Sequence, residues 1–148
     1  ALELRRRHDE DGIRRSAAQV RALIRRENER GIPCERIVLA GFSQGGAVAT
    51  YVALRHPERL AGLMALSCYL VGDDTLDEER SEANAGLPVL QAHGTLDPMV
   101  RIDRGLHLRD RLRALGHEVE WHEYPMEHQV CLEELEAIGA YLRARLGD

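Results

Sequence analysis

Gly41-Phe42-Ser43-Gln44-Gly45 places a serine between glycines two positions away on either side. A serine hydroxyl is a weak nucleophile unless a base removes its proton. The G-x-S-x-G spacing suits a tight strand-to-helix turn that lifts the hydroxyl clear of a sheet in strained backbone angles. Glycine is expected at both flanking positions because side chains there would collide. The same turn would leave the amide of Gln44 aimed at a developing oxyanion. On its own the pentapeptide also reads as a plain glycine turn; its context decides. An apolar run precedes it, Ile37-Val38-Leu39-Ala40, and a helical pattern follows it.

If Ser43 is a nucleophile on such a turn, an acid and then a histidine should follow in chain order. His93-Gly94-Thr95-Leu96-Asp97-Pro98 follows a third apolar run and places Asp97 beyond a strand. Open α/β sheets put their sites at the carboxyl ends of strands. An aspartate before proline is also common in surface turns, so Asp97 gains its catalytic reading from Ser43 upstream. Tyr124-Pro125-Met126-Glu127-His128 follows a fourth run and puts His128 in the loop before the last helix. Histidine suits the base because its ordinary pKa lies near neutrality. His8, His56, His107, His117 and His122 fall in or beside helices, at the wrong end, or within a strand. His93 precedes the acid and reads as a support for its loop.

These residues need a scaffold. Residues 9–30 read as a helix with Asp9 or Asp11 as its cap and Ile13, Ala17, Val20, Leu23 and Ile24 on one apolar face. Strands are predicted at 36–40, 62–66, 88–92 and 119–124. Helices are predicted at 47–54, 102–115 and 130–146, with Leu132, Leu135, Ile138, Tyr141 and Leu142 facing inward in the last. Residues 72–84 read as a polar surface excursion. Strands alternating with helices predict right-handed crossovers and a parallel sheet covered on both faces, a three-layer sandwich. The 148 residues, with neither repeat nor linker, read as one domain.

Composition narrows the function. A net charge of -5 argues against a nucleic-acid binder. All 20 basic residues are arginine, which looks like coding bias and carries no mechanism. Cys34, Cys68 and Cys131 are few and scattered, as expected of reduced thiols in a cytoplasmic protein. No histidine pair has metal-ligand spacing, so no metal is expected. No apolar run is long enough for stable membrane insertion.

Gly-Phe-Ser-Gln-Gly-Gly at 41–46, His-Gly-Thr-Leu-Asp-Pro at 93–98 and Tyr-Pro-Met-Glu-His at 124–128 together resemble the phospholipase/carboxylesterase family of α/β-hydrolases. This group includes acyl-protein thioesterases and bacterial carboxylesterases. The resemblance runs from about Asp9 to the C-terminus. It implies an α/β-hydrolase fold, Ser43, Asp97 and His128 as catalytic triad, and the Gln44 amide as an oxyanion donor. It also implies an acyl pocket lined by Cys68, Tyr69, Leu70, Met99 and Val100, a small-molecule ester or thioester substrate, and no cofactor. Glu127 replaces a residue that is often glycine in the family; its carboxylate is expected to point to solvent.

The family's further strands and its His-Gly-rich loop before the first helix have no match in residues 1–35. The chain resembles the carboxyl-terminal two-thirds of the family domain. A second oxyanion donor is then expected outside it, and 37–40 becomes an exposed edge inclined to pair with another chain, a homodimer included. The alternative reading is a non-catalytic hydrolase fragment that acts through binding or assembly.

Overall fold

In the computed structural model, which describes residues 2–147, helix α1 spans Leu2–Glu29. It starts earlier than expected because leucine, glutamate and arginine before Asp9 are good helix formers and nothing breaks the run. Asp9 and Asp11 therefore lie inside the helix, not at its cap, and the Asp9 side chain is outside the described residues. Ile13, Ala17 and Ile24 are buried, Val20 is half-buried, and Leu23 is exposed, against expectation. Gly31, at φ +97°, ends the helix in a Schellman motif: the Ile32 amide donates to the Glu27 carbonyl and the Gly31 amide to Asn28.

Pro33 starts a short 3-10 turn, Cys34–Arg36, which delays strand β1 to Val38–Phe42, two residues beyond the predicted bounds. Helix α2 (Gln44–Arg55) begins directly after Ser43. Strand β2 (Gly62–Leu66) follows, then a seven-residue helix α3 (Asp73–Glu79) inside the segment read as a polar surface excursion. Leu76, fully buried, fastens α3 to the core and explains why this acidic stretch folds. Strand β3 (Val89–Gly94), helix α4 (Ile102–Ala114), strand β4 (Val119–Tyr124) and helix α5 (Leu132–Leu146) complete the order.

The sheet is parallel, four-stranded and ordered β1-β2-β3-β4. Its register pairs Phe42 with Leu66, Leu66 with Ala92, and Gly94 with Tyr124, so the four carboxyl ends share one edge. Successive strand residues point to opposite faces. Leu39, Leu63, Ala65 and Val89 join the core with α1, α2 and α4, while Met64, Leu66, Leu90 and Ala92 pack with α5 residues. The three layers are thus unequal. Strand β1 lies at the edge, with Ala40 exposed and Phe42 37% exposed.

In α5, Tyr141 is buried and Ile138 and Leu142 are partly buried, as the periodicity predicts. Leu132 and Leu135 are exposed instead, and Glu134 is buried between them. The Tyr141 hydroxyl accepts from the Leu63 amide and donates to the Pro88 carbonyl, so α5 is fixed to the sheet by hydrogen bonds as well as apolar contact.

Candidate active site

Ser43 occupies the junction of β1 and α2 with φ 59° and ψ −125°, a conformation that side chains rarely adopt. Ser43 and Ser67 are the two positive-φ residues other than glycine among the described residues. The Ser43 amide donates to the Leu66 carbonyl and the Ser67 amide to Ala92, so each turn hangs on the end of the neighbouring strand. Gln44 is the first residue of α2. Its amide lies in the first helical turn, where N–H groups lack intrahelical partners and the dipole favours negative charge.

The glycines of this turn are not equivalent. A Cβ on Gly41 would stand 2.1 Å from the Gly45 carbonyl oxygen, and one on Gly46 2.7 Å from Cys68 Cβ and 2.8 Å from the Gly41 oxygen. A Cβ on Gly45 would meet nothing within 4 Å. The expectation that both motif glycines avoid collision thus holds for Gly41 and fails for Gly45; Gly46 is the second tight position. Gly41→Ala is therefore expected to destabilise the fold by about 3 kcal/mol or more, because a backbone atom must move. Gly45→Ala should stay within about 1 kcal/mol of the parent, on the stabilising side in a helix. Urea denaturation of the two variants measures the difference.

Asp97 and His128 are held by two loops laced together beyond β3 and β4. The Thr95 amide donates to the Tyr124 carbonyl and the Leu96 amide to that of Met126. Gly94 permits this approach: a Cβ there would lie 2.3 Å from the Met126 oxygen and 2.4 Å from that of Glu127. The Asp97 side chain is fully buried. Its Oδ1 accepts the amides of Met99 at 2.9 Å and Val100 at 2.8 Å. Its Oδ2 faces His128 Nδ1 at 2.6 Å, and His128 Nε2 stands 3.0 Å from Ser43 Oγ. Burial pushes the Asp97 carboxyl up, but the Val100 amide, the His128 ring and the Met99 amide together hold it below the usual aspartate range.

With the carboxylate on Nδ1, that nitrogen carries the ring proton and Nε2 is left to accept the serine proton. The Phe42 ring leans on His128 at 4.6 Å between centroids and limits its rotation. Chemically, this arrangement can activate a hydroxyl for acyl transfer and stabilise the imidazolium that results. Glu127 is exposed.

His93 is 1% exposed, with Nε2 2.7 Å from the Val100 carbonyl, so it braces the loop that bears Asp97. Gly105 gives the ring its room, since a Cβ there would come within 2.5 Å of His93 Nδ1. The residues assigned to an acyl pocket divide. Cys68 is buried under the first turn of α2, and burial pushes its thiol up to about 12; its side chain is packing for Gly46. Val100 is buried and acts through its backbone on Asp97 and His93. Met99 is 73% exposed. Tyr69 and Leu70 border a cleft that also touches Arg104 and His107, with the Arg104 guanidinium 4.1 Å above the Tyr69 ring. Nothing in the motifs points to Arg104, which the approach of α4 to this loop reveals.

The sequence model described as phospholipase/carboxylesterase matches residues 2–146. An acyl-protein thioesterase 1 of Neurospora crassa is 44% identical over 149 residues, which cover 99% of this chain and 61% of that protein. The chain therefore spans about three-fifths of the length of the curated relatives it matches. Among solved structures, Arabidopsis thaliana SOBER1 superposes with a TM-score of 0.87 at 29% identity, covering 93% of this chain and 66% of that one. Zea mays acyl-protein thioesterase 2 gives 0.79 at 28% identity, over 93% and 66%.

Proposed function

The chain belongs to the phospholipase/carboxylesterase family, and on that premise we propose that it cleaves carboxylic esters or thioesters of small or medium acyl chains through an acyl-enzyme on Ser43. The observation that supports this most is the hydrogen-bonded series Ser43–His128–Asp97, with contacts of 3.0 and 2.6 Å. His128 Nε2 takes the hydroxyl proton as Ser43 Oγ attacks the acyl carbonyl. Asp97 keeps the ring oriented and offsets its positive charge. The Gln44 amide donates to the oxygen that becomes negative, and the protonated Nε2 then releases the leaving alcohol or thiol by donating to it. Water, deprotonated by the same nitrogen, cleaves the acyl-enzyme.

The thioesterase names of the Neurospora crassa and Zea mays relatives favour thioesters within this class. Phe42, Leu96 and Met99 are exposed apolar side chains within two residues of the triad in sequence, and they suit an acyl chain better than a charged substrate. Among the described residues no helix is long and apolar enough to cross a membrane. Cys34, Cys68 and Cys131 are free, which accords with a cytoplasmic setting.

A fluorophosphonate probe reacts with activated serines and tests the assignment directly. Peptide mapping is expected to find the adduct on Ser43; an adduct elsewhere, or none, would overturn it. The alternative of a non-catalytic fragment gains nothing from the geometry, because His128 is already hydrogen-bonded to both Asp97 and Ser43.

A further inference from the structure

A second cluster of chemically capable side chains lies at the other end of the sheet, remote from Ser43. Cys34 opens the 3-10 turn ahead of β1, His56 closes α2, and Glu58 follows in the next connection. Cys34 Sγ and His56 Nε2 are 3.4 Å apart, and one ligand atom from each of Cys34, His56 and Glu58 lies within 4.8 Å of the others. Asn28, from the last turn of α1, brings Oδ1 to 3.6 Å from the same sulfur. Its Nδ2 donates to the Ile32 carbonyl at 2.8 Å, which fixes the amide with its oxygen turned to Cys34.

These separations match a small coordination sphere. Zinc bonds of about 2.3 Å to sulfur and about 2.0–2.1 Å to nitrogen or oxygen, at tetrahedral angles, put neighbouring ligand atoms about 3.5 Å apart. The sulfur–nitrogen and sulfur–oxygen distances already have that value. The Glu58 carboxylate lies within 4.8 Å of the other two and is exposed, so a change of rotamer can bring it in. The donor set of thiolate, imidazole and carboxylate is one that borderline-soft cations select over magnesium or calcium.

The nitrogen turned to this cluster is weakly satisfied. His56 is 6% exposed, and its Nε2 meets only the Cys34 thiol. A buried imidazole nitrogen with a thiol as its sole partner is left available to a cation. On its open side the cluster borders a cleft of about 610 Å³ lined by Asn28, Cys34 and Glu58, which offers an entry path.

We propose that Cys34, His56 and Glu58 bind one borderline-soft divalent cation of the zinc class, with the Asn28 amide oxygen completing its coordination. Such an ion would clamp the end of α1, the turn before β1 and the end of α2 together, independently of acyl transfer. Sequence spacing hides the site because Cys34 comes from a different connection than His56 and Glu58.

Cobalt(II) titration of the protein tests the proposal. One equivalent is expected to produce a thiolate-to-cobalt charge-transfer band and intense tetrahedral visible bands, both bleached by zinc(II). Cys34→Ser should abolish the charge-transfer band, and Glu58→Gln should weaken cobalt binding by about 10-fold or more. Cys131→Ser should change neither. The absence of a charge-transfer band, its survival in Cys34→Ser, or its loss in Cys131→Ser would each overturn the site. Should Cys34→Ser fail to fold, Glu58→Gln at its exposed position decides alone: unchanged affinity overturns the proposal.

Discussion

Ser43→Ala is expected to lower kcat by about 10⁶-fold on any ester or thioester the protein turns over, because the atom that the proposed mechanism acylates is gone. The side chain accepts no capping hydrogen bond at the start of α2, so the alanine variant loses only the bond to the part-buried His128 and should stay within about 1 kcal/mol of the parent in stability. Ser43→Gly should lose the same activity while gaining about 1 kcal/mol, since φ 59° with ψ −125° strains any residue with a Cβ and glycine tolerates it. Steady-state kinetics beside urea denaturation separates the two effects. A variant that keeps more than about 1% of parental kcat would show that another group attacks the substrate.

That pairing of strain with chemistry explains what was readable in the sequence. The order of Ser43, Asp97 and His128 was legible because each follows an apolar run, and in a parallel sheet all such loops emerge at one edge. Their exact approach was not, because it depends on backbone contacts across loops, such as Gly94 beneath the Met126 and Glu127 carbonyls. The motif rule overstated Gly45 and said nothing of Gly46. The crowding at Gly46 comes from the Gly41 carbonyl oxygen and from Cys68 on the neighbouring strand's loop, a residue the linear motif does not contain.

Strand and helix identities followed from periodicity, whereas their ends were set by local chemistry. Pro33 and the turn after it moved β1, and the strong helix formers before Asp9 lengthened α1. Periodicity also placed Leu132 and Leu135 inward. The helix instead turns Glu134 into the protein and leaves both leucines exposed. A pattern of apolar residues names a candidate face; the elements available to cover it decide which residues are buried.

Asp97→Asn should lower kcat by about 10⁴-fold with little change in fold. Asparagine can still accept the Met99 and Val100 amides through its oxygen, so the loop keeps its shape. Its NH₂ group, however, would face His128 Nδ1, which must then accept. The ring proton moves to Nε2, and the nitrogen that should receive the serine proton is already protonated. The same substitution has a separate signature in acid. The Asp97 carboxyl is held below its ordinary range, so its ionised form is favoured by folding. That contribution is present above the unfolded-state value of about 3.9 and is lost as pH falls through the lower folded-state value. Denaturation curves should therefore show the parent losing stability below about pH 4 along a steeper course than Asp97→Asn, the gap between them narrowing with acid. The kinetic defect should persist at every pH at which the parent is active. An activity gap that closed in step with the stability gap would mean that Asp97 matters only for holding the loop. A defect that persists where the stabilities are constant assigns the carboxylate to orienting and charge-balancing the imidazole during acyl transfer.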